Sequence, residues 1–289
     1  MPRTDRVWLI TGASSGFGRA LAKAVIARGE RVVAAARRRE ALAELASIDE
    51  ARILALPLDV TDASARQAAM SAALDRFGRI DVLANIAGRG SLGAVEEFAP
   101  EQLRAQMEVN FFAAAELCRE VLPSMRQQRE GHILNLTSIG GLISIGGFGA
   151  YCASKFALEA WSEALADEVA PFGVKVTLVE PGSFRTEFAG EANMRPAETL
   201  AAYRAAIAPI EAYLYGQSGR QPGDPAKAAE AMIAVVEDAN PPRRLALGAD
   251  AYSALDSIMA ARMADIARYR AVGEATGFPG ADVRAIGGN

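Results

Sequence analysis

Seven apolar, β-branched runs recur along the chain: VWLIT (7–11), RVVAAA (31–36), ILALPLDV (53–60), IDVLANIA (80–87), HILNLTS (132–138), KVTLVEP (175–181) and RLALG (244–248). Alanine-rich stretches of helical character separate them, the alternation expected of a parallel sheet with crossover helices. Each run is nearly continuous in its hydrophobicity, as strands are when helices cover both faces of the sheet. The chain therefore reads as one doubly wound α/β domain over residues 1–289, with a mostly seven-stranded parallel sheet. Helix punctuation agrees: DASARQAAMSAALDRFG begins at an aspartate cap, Asp62, and stops at Gly78, while Asp224 and Pro225 open DPAKAAEAMIAVVED.

The alternation breaks between 183 and 224, where helical pieces, aromatics and glycines replace the next strand. An insertion of this length after the sixth strand is expected to act as a substrate-binding lid, a surface helical hairpin being the plainer alternative. The tail forms a C-terminal helical extension over 249–277, and its stripe Leu255, Ile258, Met259, Met263 and Ile266 is expected to pack inward or to meet a partner subunit.

Composition limits the function. A hydrophobic content of 51% fills a core, yet no stretch approaches the roughly 20 apolar residues of a membrane span. No signal-peptide region precedes the first strand, so a soluble cytoplasmic protein with no membrane contact is expected. Cys118 and Cys152 are too few for a disulfide framework and should stay reduced, and a single histidine, His132, leaves no His-rich metal site. A net charge of -4 gives no footprint for nucleic acid, so the local run Arg37, Arg38, Arg39 needs a local explanation.

That explanation lies between the first strand and first helix, in TGASSGFG. Gly12, Gly16 and Gly18, with Ser14, Ser15 and Phe17 among them, let the backbone approach a pyrophosphate, which the free amides of the following helix attract. At this place in a doubly wound sheet the loop predicts a dinucleotide; a plain tight turn or an adenosyl sulfonium site of a methyltransferase are the alternatives. The second strand ends AAARRR, with Ala36 where an NAD enzyme commonly has a carboxylate. Arg37 and its neighbour Arg38 can bond a 2′-phosphate, which favours NADP(H) over NAD(H).

Tyr151 and Lys155 lie four residues apart in AYCASKFALEA, so one helix face carries both, and an ammonium beside a phenol favours the phenolate and lowers its pKa. Such a phenol moves protons near neutral pH. With the glycine loop, NIAG (85–88), Asn110, Ser138, Tyr151, Lys155 and Pro181-Gly182 in order, residues 5–190 resemble the short-chain dehydrogenase/reductase family, in its short, reductase-type branch. The one small departure is Ile86, where the family commonly has a second asparagine. The long C-terminal part looks most like reductases of steroids, retinoids and similar lipophilic carbonyls or alcohols.

The resemblance implies roles. Asp59 would bond the adenine amino group with help from the backbone at Val60, although a strand-end cap explains Asp59 as well. Asn85, Ala87 and Gly88 would pass beside the adenosine ribose and support the sheet, and Thr186, following Pro181, Gly182 and Phe184, would reach the nicotinamide amide or the phosphates. Ser138 would donate to a substrate carbonyl while Tyr151 transfers the proton. Lys155 would both tune Tyr151 and bond the nicotinamide ribose, and Asn110 would hold a water linking Lys155 to solvent. Phe148, Phe184, Phe188, Met194, Tyr203, Tyr213, Leu214 and Tyr215 suggest an apolar pocket for a small hydrophobic substrate. The helices over 101–126 and 151–170 would form a homodimer or homotetramer. A non-catalytic NADP(H)-sensing protein is the alternative, disfavoured because a sensor needs no proton donor.

Overall fold

Alternate side chains of the first strand enter two different cores. In the computed structural model, which describes residues 5–190, 194–196 and 198–280, Trp8 and Ile10 join one buried cluster while Val7 and Leu9 join the other. This is why the strand sequences lack polar alternation: each strand is covered on both sides. The strands are β1 (Val7–Thr11), β2 (Arg31–Ala36), β3 (Ile53–Pro57), β4 (Val82–Asn85), β5 (Gly131–Leu136), β6 (Val174–Pro181) and β7 (Arg244–Leu247). All pair in parallel, in the order β3-β2-β1-β4-β5-β6-β7.

On one face lie α1 (Gly16–Ala27), α2 (Arg39–Ala46) and α8 (Pro225–Glu237), through Leu21, Val25, Leu42, Leu45, Met232 and Ile233. On the other lie α3 (Ala63–Phe77), α5 (Ala113–Gln128) and α6 (Gly149–Val169), through Met70, Leu117, Val121, Met125, Leu165 and Val169. Asp62 caps α3 by accepting from the Ala65 amide at 3.1 Å, and Gly78 ends it at φ 75°. Strand order reverses between β1 and β4, so the crevice for a ligand lies beyond the carboxyl ends of these strands.

Three strands are shorter than their apolar runs. β3 stops at Pro57, β4 covers only Val82–Asn85 and β5 ends at Leu136. The residues that follow, Asp59, Ala87 and Ser138, leave the ladder for loops at the carboxyl edge. The helix expected over 101–126 is split into α4 (Pro100–Met107) and α5 by a π-helical turn, Glu108–Phe112, which carries Asn110.

Between β6 and α8 the described residues form short 3-10 turns and α7 (Arg204–Gly216). This segment is fastened to the loop after β4, where the Met194 amide donates to the Gly90 carbonyl at 2.9 Å and the Leu92 amide to the Met194 carbonyl at 3.1 Å. The C-terminal part, α9 (Ala249–Arg268) and α10 (Arg270–Glu274), corrects the expectation of an inward packing stripe. Only Ala251 of α9 is buried; Met259, Met263 and Ile266 are exposed, because the helix leaves the sheet edge after β7 and runs along the surface.

His132 is buried in β5 with Nε2 2.9 Å from the Thr177 hydroxyl of β6, and burial pushes its pKa down to about 3. The unfolded chain therefore binds a proton that the folded chain refuses between about pH 6.5 and 3, so this residue makes stability fall as pH drops through that window. At pH 5 the loss amounts to roughly 2 kcal/mol. Urea denaturation of wild type and His132→Gln across this range is expected to show a flatter pH dependence for the variant.

Candidate active site

The loop after β1 is built around backbone contacts that leave no room for side chains. A Cβ on Gly12 (φ 67°) would meet the Ala87 nitrogen at 3.0 Å, and one on Gly18 would sit 2.4 Å from the Gly12 carbonyl oxygen. A Cβ on Gly16 (φ 47°) would lie 3.3 Å from the Thr186 side chain. Ser15 caps α1 with extended backbone but makes no side-chain cap hydrogen bond, and no acidic residue occupies the first turn. The first amides of α1 are thus left for an anion, so the loop fits the pyrophosphate of a dinucleotide.

Around this loop Arg38 donates to the Ser14 hydroxyl at 3.2 Å and the Ser14 carbonyl at 3.3 Å, and pairs with Glu187 at 3.1 Å. Arg37 lies near enough to Asp59 to help hold its carboxyl below the ordinary value, although the Thr61 amide contributes most. Asp59 accepts from the Thr61 amide at 3.0 Å and hydroxyl at 2.8 Å, as a strand-end cap does, and the Val60 carbonyl accepts from Arg66 at 2.8 Å. Phe17 and Phe184 pack with ring centroids 5.0 Å apart, joining the loop to the segment after β6.

At the end of β4, the Asn85 side chain lies in the core. Its amide donates to Asn135 at 2.9 Å and to the Ala114 carbonyl and Cys118 sulfur, each at 3.3 Å, so its side chain supports the sheet. The Ala87 backbone runs beside Gly12, while Gly88 faces Asn110 and Lys155: a Cβ there would lie 3.1 Å from Asn110 Oδ1 and 3.6 Å from Lys155 Nζ. The buried Asn110 amide accepts from the Arg89 nitrogen at 3.0 Å and donates to the Arg89 carbonyl at 2.9 Å and Ser154 hydroxyl at 3.0 Å. It straps the loop after β4 to α6.

Tyr151, Lys155 and Ser138 converge. Ser138 stands close enough to the Tyr151 hydroxyl to favour its ionised form, and a Cβ on the intervening Gly140 would meet the tyrosine ring at 3.2 Å and Ser138 Oγ at 3.4 Å. Lys155 donates to the Leu136 carbonyl at 2.8 Å, with Nζ 5.9 Å from the Tyr151 ring centroid. Phe188 covers the tyrosine ring at 5.4 Å between centroids. The expected acidity of the phenol is corrected: burial raises the Tyr151 pKa, opposed only in part by Ser138. Burial also pulls Lys155 down to about 8, while the nearby charge of Glu159 opposes the fall.

Among the described residues no group of His, Cys, Asp and Glu could hold a metal. Cys118 and Cys152 are both buried free thiols. A surface depression between α1, α8 and the segment after β6 borders this constellation and shares Gly16 and Thr186 with it.

The family model described as short chain dehydrogenase matches residues 6–197, the part of the chain that carries every one of these groups. The chain belongs to the short-chain dehydrogenase family. This short-chain dehydrogenase is 38% identical over 247 residues to an oxidoreductase of Botryotinia fuckeliana, covering 85% of this chain and 90% of that one. It is 42% identical over 189 residues to a 3-ketodihydrosphingosine reductase of Bacteroides thetaiotaomicron, covering 65% and 68%. A solved short-chain dehydrogenase from Streptomyces avermitilis superimposes with a TM-score of 0.89 at 44% identity, over 95% of this chain and 100% of that one. More distant solved relatives include one from Burkholderia phymatum in complex with NAD (TM-score 0.78, 26% identity, 97% and 98% covered). Another, from Burkholderia cenocepacia, is in complex with NADP (TM-score 0.71, 27% identity, 92% and 98% covered). The protein is an oxidoreductase with a nicotinamide cofactor, and no helix among its described residues is long and apolar enough to cross a membrane.

Two residues that hold this short-chain dehydrogenase site together escaped the reading of its sequence. Thr11 accepts from the Ile86 and Ala87 amides at 3.0 and 3.1 Å, locking the loop after β4 to β1. Asp250, at the start of α9, accepts from the Ser183 amide at 2.7 Å and pins the turn after Pro181-Gly182. Thr11 stood in the motif without a role, and no local signal marks Asp250.

Because the Gly12 carbonyl fills the space beside Gly18, Gly18→Ala must displace the loop. The variant is expected to keep the circular dichroism of the parent and to lose nicotinamide dinucleotide affinity by about tenfold or more, measured by thermal-shift titration.

Proposed function

We propose that the protein is an NADP(H)-dependent reductase or dehydrogenase of hydrophobic carbonyls and secondary alcohols, with Tyr151 as proton donor and acceptor. The observation that carries this reading is the convergence of Tyr151 and Ser138 about Gly140, beside Lys155 and beneath Phe188. A bound nicotinamide supplies or accepts the hydride.

Ser138 and Tyr151 offer two hydroxyls to one substrate oxygen. Burial holds the phenol protonated, the state needed to give a proton to an oxygen that gains charge during reduction. Lys155 is the cation that makes the phenolate left behind less costly, and the Leu136 carbonyl fixes its position. Asn110 aligns the loop that passes Lys155, and the water expected at Asn110 would then carry a proton from solvent back towards the phenolate.

Selection of NADP(H) is argued from Arg37 and Arg38 at the end of β2. Arg38, held at Ser14, borders the glycine loop, and two guanidiniums suit a 2′-phosphate. Ser14, Ser15, Gly16, Phe17, Gly18, Val60, Ala87, Gly88 and Thr186 would line the rest of the cofactor, with Asp59 at its adenine end.

An apolar substrate is argued from the loop before α6, where Gly147 lies against Leu92, Ile207 and Ile210, and from Phe188 over the tyrosine. Residues 183–224 would serve as its lid. The Bacteroides relative named as a reductase of a ketodihydrosphingosine fits this class of lipophilic ketone. A homodimer or homotetramer through α4, α5 and α6 is part of the reading; the exposed Phe112 suits such a contact.

A panel of ketones, aldehydes and secondary alcohols, followed by NADPH absorbance, tests the activity. Tyr151→Phe should retain NADPH binding and lose turnover by about a hundredfold or more; retained turnover would refute the assignment. Arg37→Asp should weaken NADPH far more than NADH in thermal-shift titrations, and equal effects would remove the case for NADP(H).

A further inference from the structure

Two carboxyl groups are buried beside the lysine of the proposed site. Glu159 is 3% exposed and Glu180 is 1% exposed. Glu159 follows Lys155 by four residues on α6, which puts both side chains on one face of the helix. Arg244 reaches in from β7 and donates through Nη1 to Glu159 and, at 2.5 Å, to Glu180; its Nη2 pairs with the more exposed Glu163. The cluster also touches the turn that carries Ser138, since a Cβ on Gly141 would meet Glu159 Cγ at 2.8 Å and Oε1 at 3.2 Å.

Counting formal charges, three carboxylates face two cations here, and two of the carboxylates are almost fully enclosed. Buried carboxyl groups in contact do not both ionise readily, and their protons belong to the pair. The hydrogen-bond pattern points the same way. Glu159 Oε1 is buried without a hydrogen-bond partner, and the Thr137 hydroxyl gives its hydrogen to the Val179 carbonyl at 3.0 Å. A buried carboxyl oxygen without a donor is costly when ionised, which favours a proton on the pair.

We infer that Glu159 and Glu180 share one proton across Arg244, and that the part of the remaining negative charge carried by Glu159 holds Lys155 in its ammonium form. Glu159 is thus a positioning residue that acts through Lys155. Burial and the Glu159 charge push Glu180 up to about 7, so the pair gains its second charge close to neutral pH. Of the two carboxyls, Glu159 is the one whose charge raises the lysine.

The groups around Glu159 come from every element packed on it. Tyr151, Lys155 and Glu163 lie on its own helix, Glu180 on β6 and Arg244 on β7. From α9 comes Arg262, farther out, bonded to the Leu142 carbonyl and lying over Phe156. Only the consequence for turnover rests on the proposed function: a lysine kept charged makes the Tyr151 phenolate easier to form. The charge coupling is a property of the protein without substrate.

The chain has four lysines, at 23, 155, 175 and 227, so [ε-13C]lysine labelling gives few resonances, and Lys155→Met assigns the one of interest. Glu159→Gln leaves the charge on Glu180, farther along the cluster, and should lower the Lys155 titration midpoint by about half a unit or more. Glu180→Gln puts the whole charge on Glu159 and should raise the midpoint. Equal midpoints in all three proteins, or shifts of both variants in one direction, would overturn the inference. If Glu159→Gln does not fold, the wild type decides: the Lys155 resonance should show a second, smaller inflection near pH 7 that Glu180→Gln lacks, and a single inflection overturns the sharing. The alkaline limb of reductive kcat/KM should move with the lysine. Absence of turnover beside the expected spectra would count against the proposed reaction and leave the coupling standing.

Discussion

A sheet buried on both faces allows chemistry at its ends and almost nowhere else. Trp8 and Ile10 on one side and Val7 and Leu9 on the other leave β1 no polar surface, and the same holds for the inner strands beside it. Polar groups inside such a body need partners, as Asn85 and Asn135 show by bonding each other, Cys118 and Ser162. The groups free to meet a ligand gather where the strands stop. Parallel pairing puts all seven carboxyl ends on one edge, and Gly12, Asp59, Ala87, Ser138 and Gly182 share it for that reason.

Desolvation has a second effect at this edge. Proximity of an amine to a phenol argues for a low tyrosine pKa, and in isolation that Coulomb argument is sound. In the folded chain both groups are enclosed, and burial outweighs it: the phenol is pushed up and the amine down. The pair is thereby biased toward its neutral members. A cation can survive at Lys155 only if the surroundings return part of the lost hydration, through the Leu136 carbonyl and a nearby negative charge.

Legibility followed distance along the chain. The strands, the caps at Asp62 and Asp224 and the Tyr151–Lys155 face depend on neighbours a few residues away, and all could be read from local pattern. Strand ends were read too long at β3, β4 and β5 because apolar residues continue into the loops that cover the core. The π-helical turn around Asn110 left no mark, since EVNFF is ordinary helix composition. The stripe on α9 misled, because periodicity reports which residues share a face and not whether anything covers that face. Asp250 acts on residue 183, and Arg244 on residues 159, 163 and 180; such separations carry no short-range signal. Asn85 stands at the expected place, yet its side chain serves α5 and β5.

The residues whose bracing contacts the sequence does not show are those that hold the reacting ones in register. Thr11 fixes the loop after β4 against Gly12, Asn110 ties that loop to α6, and Gly140 keeps Ser138 and Tyr151 in contact by having no side chain. Arg244 then joins α6 to β6 and β7 behind the lysine. Each of these contacts crosses between elements that the chain visits far apart. A motif names the reacting side chains, but their separation is set by the crossings, and proton transfer is sensitive to separation at the scale of a hydrogen bond. A chain keeping Tyr151, Lys155 and Ser138 without Thr11, Asn110 and Gly140 would therefore retain the recognisable pattern and lose the geometry on which its chemistry depends.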